Sequence, residues 1–168
     1  ACPVETLCEG VCVRNHGDDR PVTIGLLQRF AVDEAIQEGT EFFSRSEQTG
    51  KSIGVVGAGP AGLSCAHRLS VLGHDVVVYE ARAKSGGLNE YGLAAYKMLD
   101  EFAQKEADFI TALGGIEIVH DTILGRDVTL QELRTRHDAV FLGSGLGGGN
   151  MLGIPGEKAE GVTDAVAF

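Results

Sequence analysis

Between Thr23 and Ile36 the apolar residues Ile24, Leu27, Phe30, Ala31 and Ile36 recur at near-helical spacing. This predicts a helix with Thr23 as its N-cap. Upstream, residues 1–20 are irregular, with the turn-formers Asn15, Gly17, Asp18 and Asp19 followed by Pro21. Downstream, residues 38–51 (EGTEFFSRSEQTGK) lack a clear period and read as a linker.

From residue 52 the pattern changes. Short continuous apolar runs, the mark of strands buried on both faces, alternate with helical segments. Ser52–Val56 is a predicted strand that ends in glycines. A helix follows over Ala61–Leu72, closed by Gly73, and then a second strand over Asp75–Tyr79. Ala95–Leu113 reads as a long amphipathic helix stopped by Gly114-Gly115. Ile116–Val119 is a strand, and Thr129-Leu130-Gln131-Glu132 has the form of a capping box opening a short helix to Arg136. Ala139–Leu142 is a further strand. Strand–helix alternation predicts an α/β fold, a Rossmann-like parallel sheet with helices on both faces.

The chain has 168 residues, 43% of them hydrophobic, which supports a core and argues against wholesale disorder. With 14 Lys and Arg against 24 Asp and Glu the net charge is −10, which disfavours nucleic acid or an anionic membrane as partner. No apolar run approaches the ~20 residues of a membrane span. No signal peptide is visible, and the expectation is a cytoplasmic protein. The 24 glycines gather at 54–62, 86–92, 114–115 and 143–156, where backbone must turn tightly or approach something closely.

The first of these clusters carries chemistry. Gly57-Ala58-Gly59-Pro60-Ala61-Gly62 is a G-x-G-x-x-G turn between a strand and a helix. In a dinucleotide site the first glycine makes the turn, the second admits the pyrophosphate and the third lets helix and strand close together. The helix N-terminus offers unpaired N–H groups to the phosphates. Glu80, 23 residues after Gly57 at the end of the second strand, is placed to accept ribose hydroxyls and argues against a 2′-phosphate in this pocket. A second glycine pair follows in Lys84-Ser85-Gly86-Gly87-Leu88. It resembles the Gly-Gly after the acid in flavoproteins with two dinucleotide domains, which favours FAD. Gly143-Ser144-Gly145-Leu146-Gly147-Gly148 also spells G-x-G-x-x-G, but Gly149, Gly153, Pro155 and Gly156 leave no helix after it. It reads as a loop closing over the first nucleotide, with Gly145 near the pyrophosphate.

Cys2, Cys8 and Cys12 stand in a C-x5-C-x3-C spacing at the N-terminus. Thiolates hold iron–sulfur clusters, and a cubane takes four ligands, so three are not enough. Zinc is an alternative, with the same shortage, and His16 is the nearest further donor. Two disulfides are discounted for a chain that otherwise reads as a cytoplasmic nucleotide-binding fold. Cys65, inside a predicted helix, reads as a small core residue.

CPVETLCEGVC and the PVTIGLLQRF run resemble the end of the iron–sulfur domain shared by dihydropyrimidine dehydrogenase and the glutamate synthase small (beta) subunit. IGVVGAGPAGLSCA, VVVYEARAKSGGL and YGLAAYKM resemble the FAD domain of the same NAD(P)H-dependent oxidoreductases. The resemblance implies three segments: 1–40 as the C-terminal part of an α-helical 4Fe–4S domain, 41–51 as linker and 52–168 as an incomplete FAD-binding domain. It implies Cys2, Cys8 and Gln28 on one 4Fe–4S cluster and Cys12 on its neighbour. Gln28 lies 16 residues after Cys12, as the iron-ligating glutamine does in dihydropyrimidine dehydrogenase. The implied FAD contacts are Gly57, Ala58, Gly59, Pro60, Ala61, Glu80, Gly86, Gly87, Leu88, Lys97 and Leu124, with Gly62 completing the fingerprint. Lys97 would lend positive charge near the flavin or diphosphate, and Leu124 would act through its backbone at the adenine. The chain departs from the family at Leu93-Ala94-Ala95, where Ile-Pro-x is usual.

The resemblance further implies a fragment of an enzyme in which NAD(P)H reduces FAD and electrons leave singly through 4Fe–4S clusters to a catalytic partner subunit or domain. Cofactors carry such chemistry, so no acid–base residue is assigned, and none of His16, His67, His74, His120 and His137 sits in a nucleophile or base motif. Gln28 and IGLLQRF lean toward the pyrimidine-reducing type, with the glutamate synthase small subunit as the alternative. A non-catalytic electron-transfer or docking module is a rival of another class, and a plain NAD-binding domain with zinc on its cysteines is a third.

Overall fold

The structure is a computed structural model and describes residues 2–17, 20–146 and 153–163. The chain divides into two compact units, Ala1–Phe42 and Phe43–Phe168.

In the first unit a series of turns leads through a 3-10 turn, Val13–His16, to helix α1, Ile24–Gln37. Thr23 occupies the N-cap position, but its side chain makes no capping hydrogen bond. The Gly25 amide instead donates to Glu9 Oε1 at 3.3 Å. Asn15 Nδ2 donates to the carbonyls of Glu9 and Gly10 at 2.8 and 3.1 Å, which folds the cysteine-bearing turns on themselves. No residue of α1 is buried.

The second unit is a three-layer α/β/α sandwich. Strands β1 (Ser52–Val56), β2 (Asp75–Tyr79), β3 (Ile116–Val119) and β4 (Ala139–Leu142) form one parallel sheet in the order β3-β2-β1-β4. Helices α2 (Pro60–Val71), α3 (Leu88–Tyr91), α4 (Phe102–Thr111) and α5 (Leu130–Arg136) lie in the connections. Alternation along the strands divides the core. Val55, Val76 and Val78 pack with Leu63, Ala66 and Ala107 of α2 and α4. Val56 and Tyr79 pack on the other face with Val128 and with Leu133 of α5. The second and third strands add on one side of β1 and the fourth on the other. The order therefore reverses at β1, and a ligand crevice is expected at its carboxyl end.

The capping box is present in full. Glu132 N–H donates to Thr129 Oγ1 at 3.2 Å, and Thr129 N–H donates to Glu132 Oε2 at 2.8 Å. The helix read over Ala95–Leu113 is shorter than the pattern suggests. Residues 95–97 form a turn, and α4 starts only at Phe102 because Asp100 and Glu101 hold left-handed backbone, φ 57° and 54°. Left-handed residues cannot continue a right-handed helix. Residues 43–51 run along the edge of the sandwich. Ser46 N–H donates to Val71 O and Thr49 N–H to Gly73 O, each at 3.0 Å, and Arg45 donates to the His74 carbonyl at 3.0 Å and pairs with Asp75. Among the described residues no helix is long and apolar enough to cross a membrane.

Candidate dinucleotide-binding site

The glycine turn follows β1 directly. Gly57 sits at φ 94°, a left-handed value that favours glycine, and a Cβ there would lie 2.5 Å from the Gly143 carbonyl oxygen. The loops after β1 and β4 therefore touch at the switch point. A Cβ on Gly62 would run into the Gly57 carbonyl oxygen, so the third glycine seats α2 against the turn. Gly59 is the N-cap of α2 in extended backbone, with no side-chain cap, and Pro60 follows at the first position. The amides of Ala61 and Gly62 fall in the first turn, where N–H groups have no intrahelical acceptor. They are available to an anion.

The second glycine pair closes the other wall. Gly86 N–H donates to the Ala58 carbonyl at 2.8 Å, so the two loops are hydrogen-bonded to each other. Gly87 has φ 55°, and a Cβ on it would stand 2.7 Å from Gly59 Cα. Between Gly59 and Gly87 there is backbone only, the surface a diphosphate needs for close approach. Leu88 opens α3 and is exposed.

Glu80, 7% exposed, is fixed from two sides. Its Oε2 accepts the Ala58 amide at 2.7 Å and its Oε1 accepts the Arg82 amide at 2.9 Å. Each oxygen keeps a second lone pair for a ribose hydroxyl. The bare-backbone cradle, the open first turn of α2 and the anchored carboxylate together fit the ADP half of a dinucleotide such as FAD.

The remaining sequence candidates lie further out. Lys97 is in the turn before α4, exposed, with Nζ 5.8 Å from the Tyr96 ring centroid. Leu124 packs partly buried against the Val56–Tyr79–Leu133 cluster and bridges to Val128. Gly145 is exposed at φ 66°, and a Cβ on it would meet nothing within 4 Å. Gly147 and Gly148 lie outside the described residues. The pattern of apolar positions gave no sign of Ser85, His120 and Gln104. Ser85 is 3% exposed and pairs its Oγ with His120 Nε2 at 3.1 Å, while Gln104 Nε2 donates to the Ser85 carbonyl at 2.8 Å. Polar side chains that grip a loop backbone leave no periodic trace.

In the first unit Cys2 is exposed and Cys8 and Cys12 are partly so; all are free thiols. Backbone amides of Val22 and Arg14 hydrogen-bond the Cys12 sulfur and hold its pKa below the ordinary thiol value. That suits a thiolate ligand. Gln28 is exposed on α1. Among the described residues no three His, Cys, Asp or Glu side chains gather as one metal site. The donor chemistry fits a cluster, while the donors gathered at any one point fall short of one. Cys65 is partly buried against the core, and burial pushes its thiol pKa up.

Two family models match. Residues 1–40 match dihydropyrimidine dehydrogenase domain II, 4Fe-4S cluster, and residues 55–91 match the NAD(P)-binding Rossmann-like domain. The glutamate synthase [NADPH] small chain of Escherichia coli K12 is 39% identical over 168 residues, covering 99% of this chain and 35% of its own. The chain is homologous to glutamate synthase small chains and oxidoreductases built like them. The NADPH-Fe(3+) oxidoreductase subunit beta of Geobacter sulfurreducens is 36% identical over 153 residues, covering 89% of this chain and 22% of its own. Among solved structures, Mycobacterium tuberculosis FprA in complex with NADPH superposes with TM-score 0.58 at 26% identity, covering 69% of this chain and 27% of that one. The chain thus spans about a third or less of the length of these relatives.

These similarities back the alternative, the glutamate synthase small chain, better than the lean toward a pyrimidine-reducing enzyme. The dihydropyrimidine dehydrogenase model covers residues 1–40 alone, whereas the glutamate synthase small chain of Escherichia coli aligns with 99% of the chain. The IGLLQRF run, lying inside that shared segment, does not separate the two types.

Proposed function

We propose that this chain supplies the ADP-binding half of an FAD site and part of an iron–sulfur module in an NAD(P)H-dependent oxidoreductase of the glutamate synthase small-chain type. The observation that carries the reading is the paired glycine cradle. At the carboxyl end of β1 the Gly57–Gly62 turn is bonded to Gly86 through the Ala58 carbonyl and to Glu80 through the Ala58 amide, and a thiol-bearing segment stands on the same chain. When bound, FAD accepts hydride from NAD(P)H and releases electrons one at a time. The chain's own part is binding and orientation. The first-turn amides of Ala61 and Gly62 face the diphosphate, Glu80 accepts the ribose hydroxyls, and Leu88 and Lys97 extend toward the flavin end. Leu124 contributes backbone at the adenine and Gly145 closes over the pyrophosphate. Cys2, Cys8 and Gln28 contribute to one 4Fe–4S cluster and Cys12 to its neighbour. The acceptor is a catalytic partner subunit.

The test is an anaerobic visible absorption spectrum after incubation with FAD, iron and sulfide and removal of excess reagents. Flavin bands on a broad iron–sulfur shoulder support the reading. A protein that stays colourless returns the chain to the plain nucleotide-binding class.

A second reading, pyrimidine reduction, rests on the Gln28 spacing and the match of residues 1–40. Turnover of uracil or thymine by the protein that contains this chain would favour it. Turnover of glutamine with 2-oxoglutarate in the presence of a large subunit would favour the first.

A further inference from the structure

The second glycine loop is held at both ends by one side chain. Gln104, on the first turns of α4, directs its Nε2 to the Ser85 carbonyl at 2.8 Å and to Glu90 Oε2 at 2.9 Å. Both partners only accept, so the NH2 end alone can serve them, one hydrogen to each. Ser85 precedes Gly86-Gly87, and Glu90 lies in the helical turn after them. The amide therefore clamps the stem of the loop that brings Gly87 against Gly59.

The stem has other partners around that clamp, among them the Gly86 N–H donating to the Ala58 carbonyl at 2.8 Å and the Lys84 N–H donating to Tyr91 Oη at 3.0 Å. A Cβ on Gly86 would lie 3.2 Å from Glu90 Cβ and 3.3 Å from Ala103 Cβ, so the loop rests directly on α4. Lys84 Nζ pairs with Glu90 Oε1 at 3.1 Å and reaches Glu101 at 3.6 Å, on the solvent side. His120 meets Ser85 from the β3 side. The Gln104 hydrogen bond is the chief cause that holds the Glu90 carboxyl below its ordinary pKa, with Lys84 adding to it against partial burial.

We propose that Gln104 is a positioning residue for the diphosphate cradle, holding Gly86-Gly87 packed against Gly59 so that the two loops present one continuous backbone surface to FAD. The proposal rests on the reading of this site as an FAD site. Gln104 touches no phosphate itself. It acts through Ser85 and Glu90, and its loss lets the second wall drift while the first, fixed by Glu80, stays in place.

The experiment compares the full chain with Gln104→Met, which keeps the length and removes both hydrogen bonds, and Gln104→Glu, which sets a carboxylate against Glu90 and the Ser85 carbonyl. FAD affinity is read by flavin fluorescence at pH about 8 and about 5.5, which bracket a carboxyl raised by a like neighbour. Each value is taken relative to the unaltered chain at the same pH, and melting of the FAD-free chain is followed in parallel. Gln104→Met is expected to weaken FAD about tenfold at both pH values, the equivalent of the lost hydrogen bonding. Gln104→Glu is expected to be weaker than Gln104→Met at the higher pH. It recovers in part at the lower, where a proton shared between the introduced carboxyl and Glu90 ends their repulsion and restores one of the two links, the Ser85 carbonyl still lacking its donor. A Gln104→Met affinity within twofold of the unaltered chain overturns the proposal, even with a lowered melting temperature. So does a Gln104→Glu deficit equal at both pH values. If the unaltered chain binds no FAD, the reading beneath the proposal fails, and the proposal with it.

Discussion

Glu80 and Ala58 are joined by a hydrogen bond of 2.7 Å from the Ala58 amide to the carboxylate Oε2, across 22 residues of sequence. The other oxygen of the same group holds the Arg82 amide. One buried carboxylate thus fastens the glycine turn after β1 to the end of β2. The acid that would select the ribose also shapes the cradle for the phosphates, and binding and folding cannot be separated at this residue.

Glu80→Gln is expected to harm both. The amide oxygen can accept one of the two backbone N–H groups, but the NH2 then faces the other donor to donor, leaving a buried amide unpaired at a cost of about 1–3 kcal/mol. A lower unfolding midpoint in urea together with weaker FAD binding would agree. Unchanged stability would show that the carboxylate does not brace the turn.

Gly87→Ala tests the opposite wall. The residue combines φ 55° with a Cβ position 2.7 Å from Gly59 Cα, which is backbone, and the added methyl has no rotamer to escape by. Neither side can yield by a rotamer change, so the loops must separate. We expect a loss of FAD affinity of at least tenfold, about 1.4 kcal/mol or more, read by equilibrium dialysis.

How much of this was legible beforehand follows from the kind of signal each feature leaves. Strands β1 to β4 were visible as short apolar runs, which β1 and β2 bury in the core, whereas β4, at the end of the strand order, leaves Phe141 and Leu142 exposed. The fingerprint was visible because Gly57, Gly59 and Gly62 each meet a steric demand that other residues fail. The start of α4 was not, since left-handed backbone at Asp100 and Glu101 has no apolar period and neither residue is glycine. Gln104 and His120 were invisible as site residues because each acts on a loop more than a dozen positions away in sequence. The attachment of residues 43–51 to the α2–β2 corner escaped for the same reason. Its bonds go largely to carbonyls, which every residue carries.

His137 gives a pH dependence of known sign. Its Nδ1 pairs with Ser52 Oγ at 2.7 Å and its Nε2 with Tyr79 Oη at 2.9 Å, while Gly54 leaves room for the ring. Burial, then the nearby Arg136 charge, hold its pKa below the ordinary value, against the opposing pull of Asp138. The unfolded chain, with an imidazole pKa of about 6.5, therefore binds this proton more readily than the folded one. The stabilisation is complete above that pH and is lost as pH falls through the lower folded value. Urea midpoints should drop between neutral pH and about 5, and His137→Asn should flatten that slope while lowering the plateau. The carboxylates held low, Glu90, Asp127, Glu132 and Asp138, act in a separate window. Their contribution is present above about pH 4 to 4.5 and lost below it. An unchanged slope in His137→Asn would assign the neutral-range dependence to another group.

Lys97 offers a test of the flavin end separate from the ADP end. Its side chain is exposed, and among the described residues its recorded contact is the Tyr96 ring, with Nζ 5.8 Å from the centroid. Surface substitutions of this kind usually move stability by less than about 0.5 kcal/mol. The cradle formed by Gly59, Gly87 and Glu80 needs only the ADP portion of a dinucleotide, and it contains no part of Lys97. If Lys97 meets the flavin end, Lys97→Ala should weaken FAD severalfold and leave ADP affinity unchanged, with the melting temperature preserved. Titration calorimetry with both ligands reads this directly. Equal weakening of the two would move the lysine to the diphosphate, and no effect on either would return it to the solvated surface.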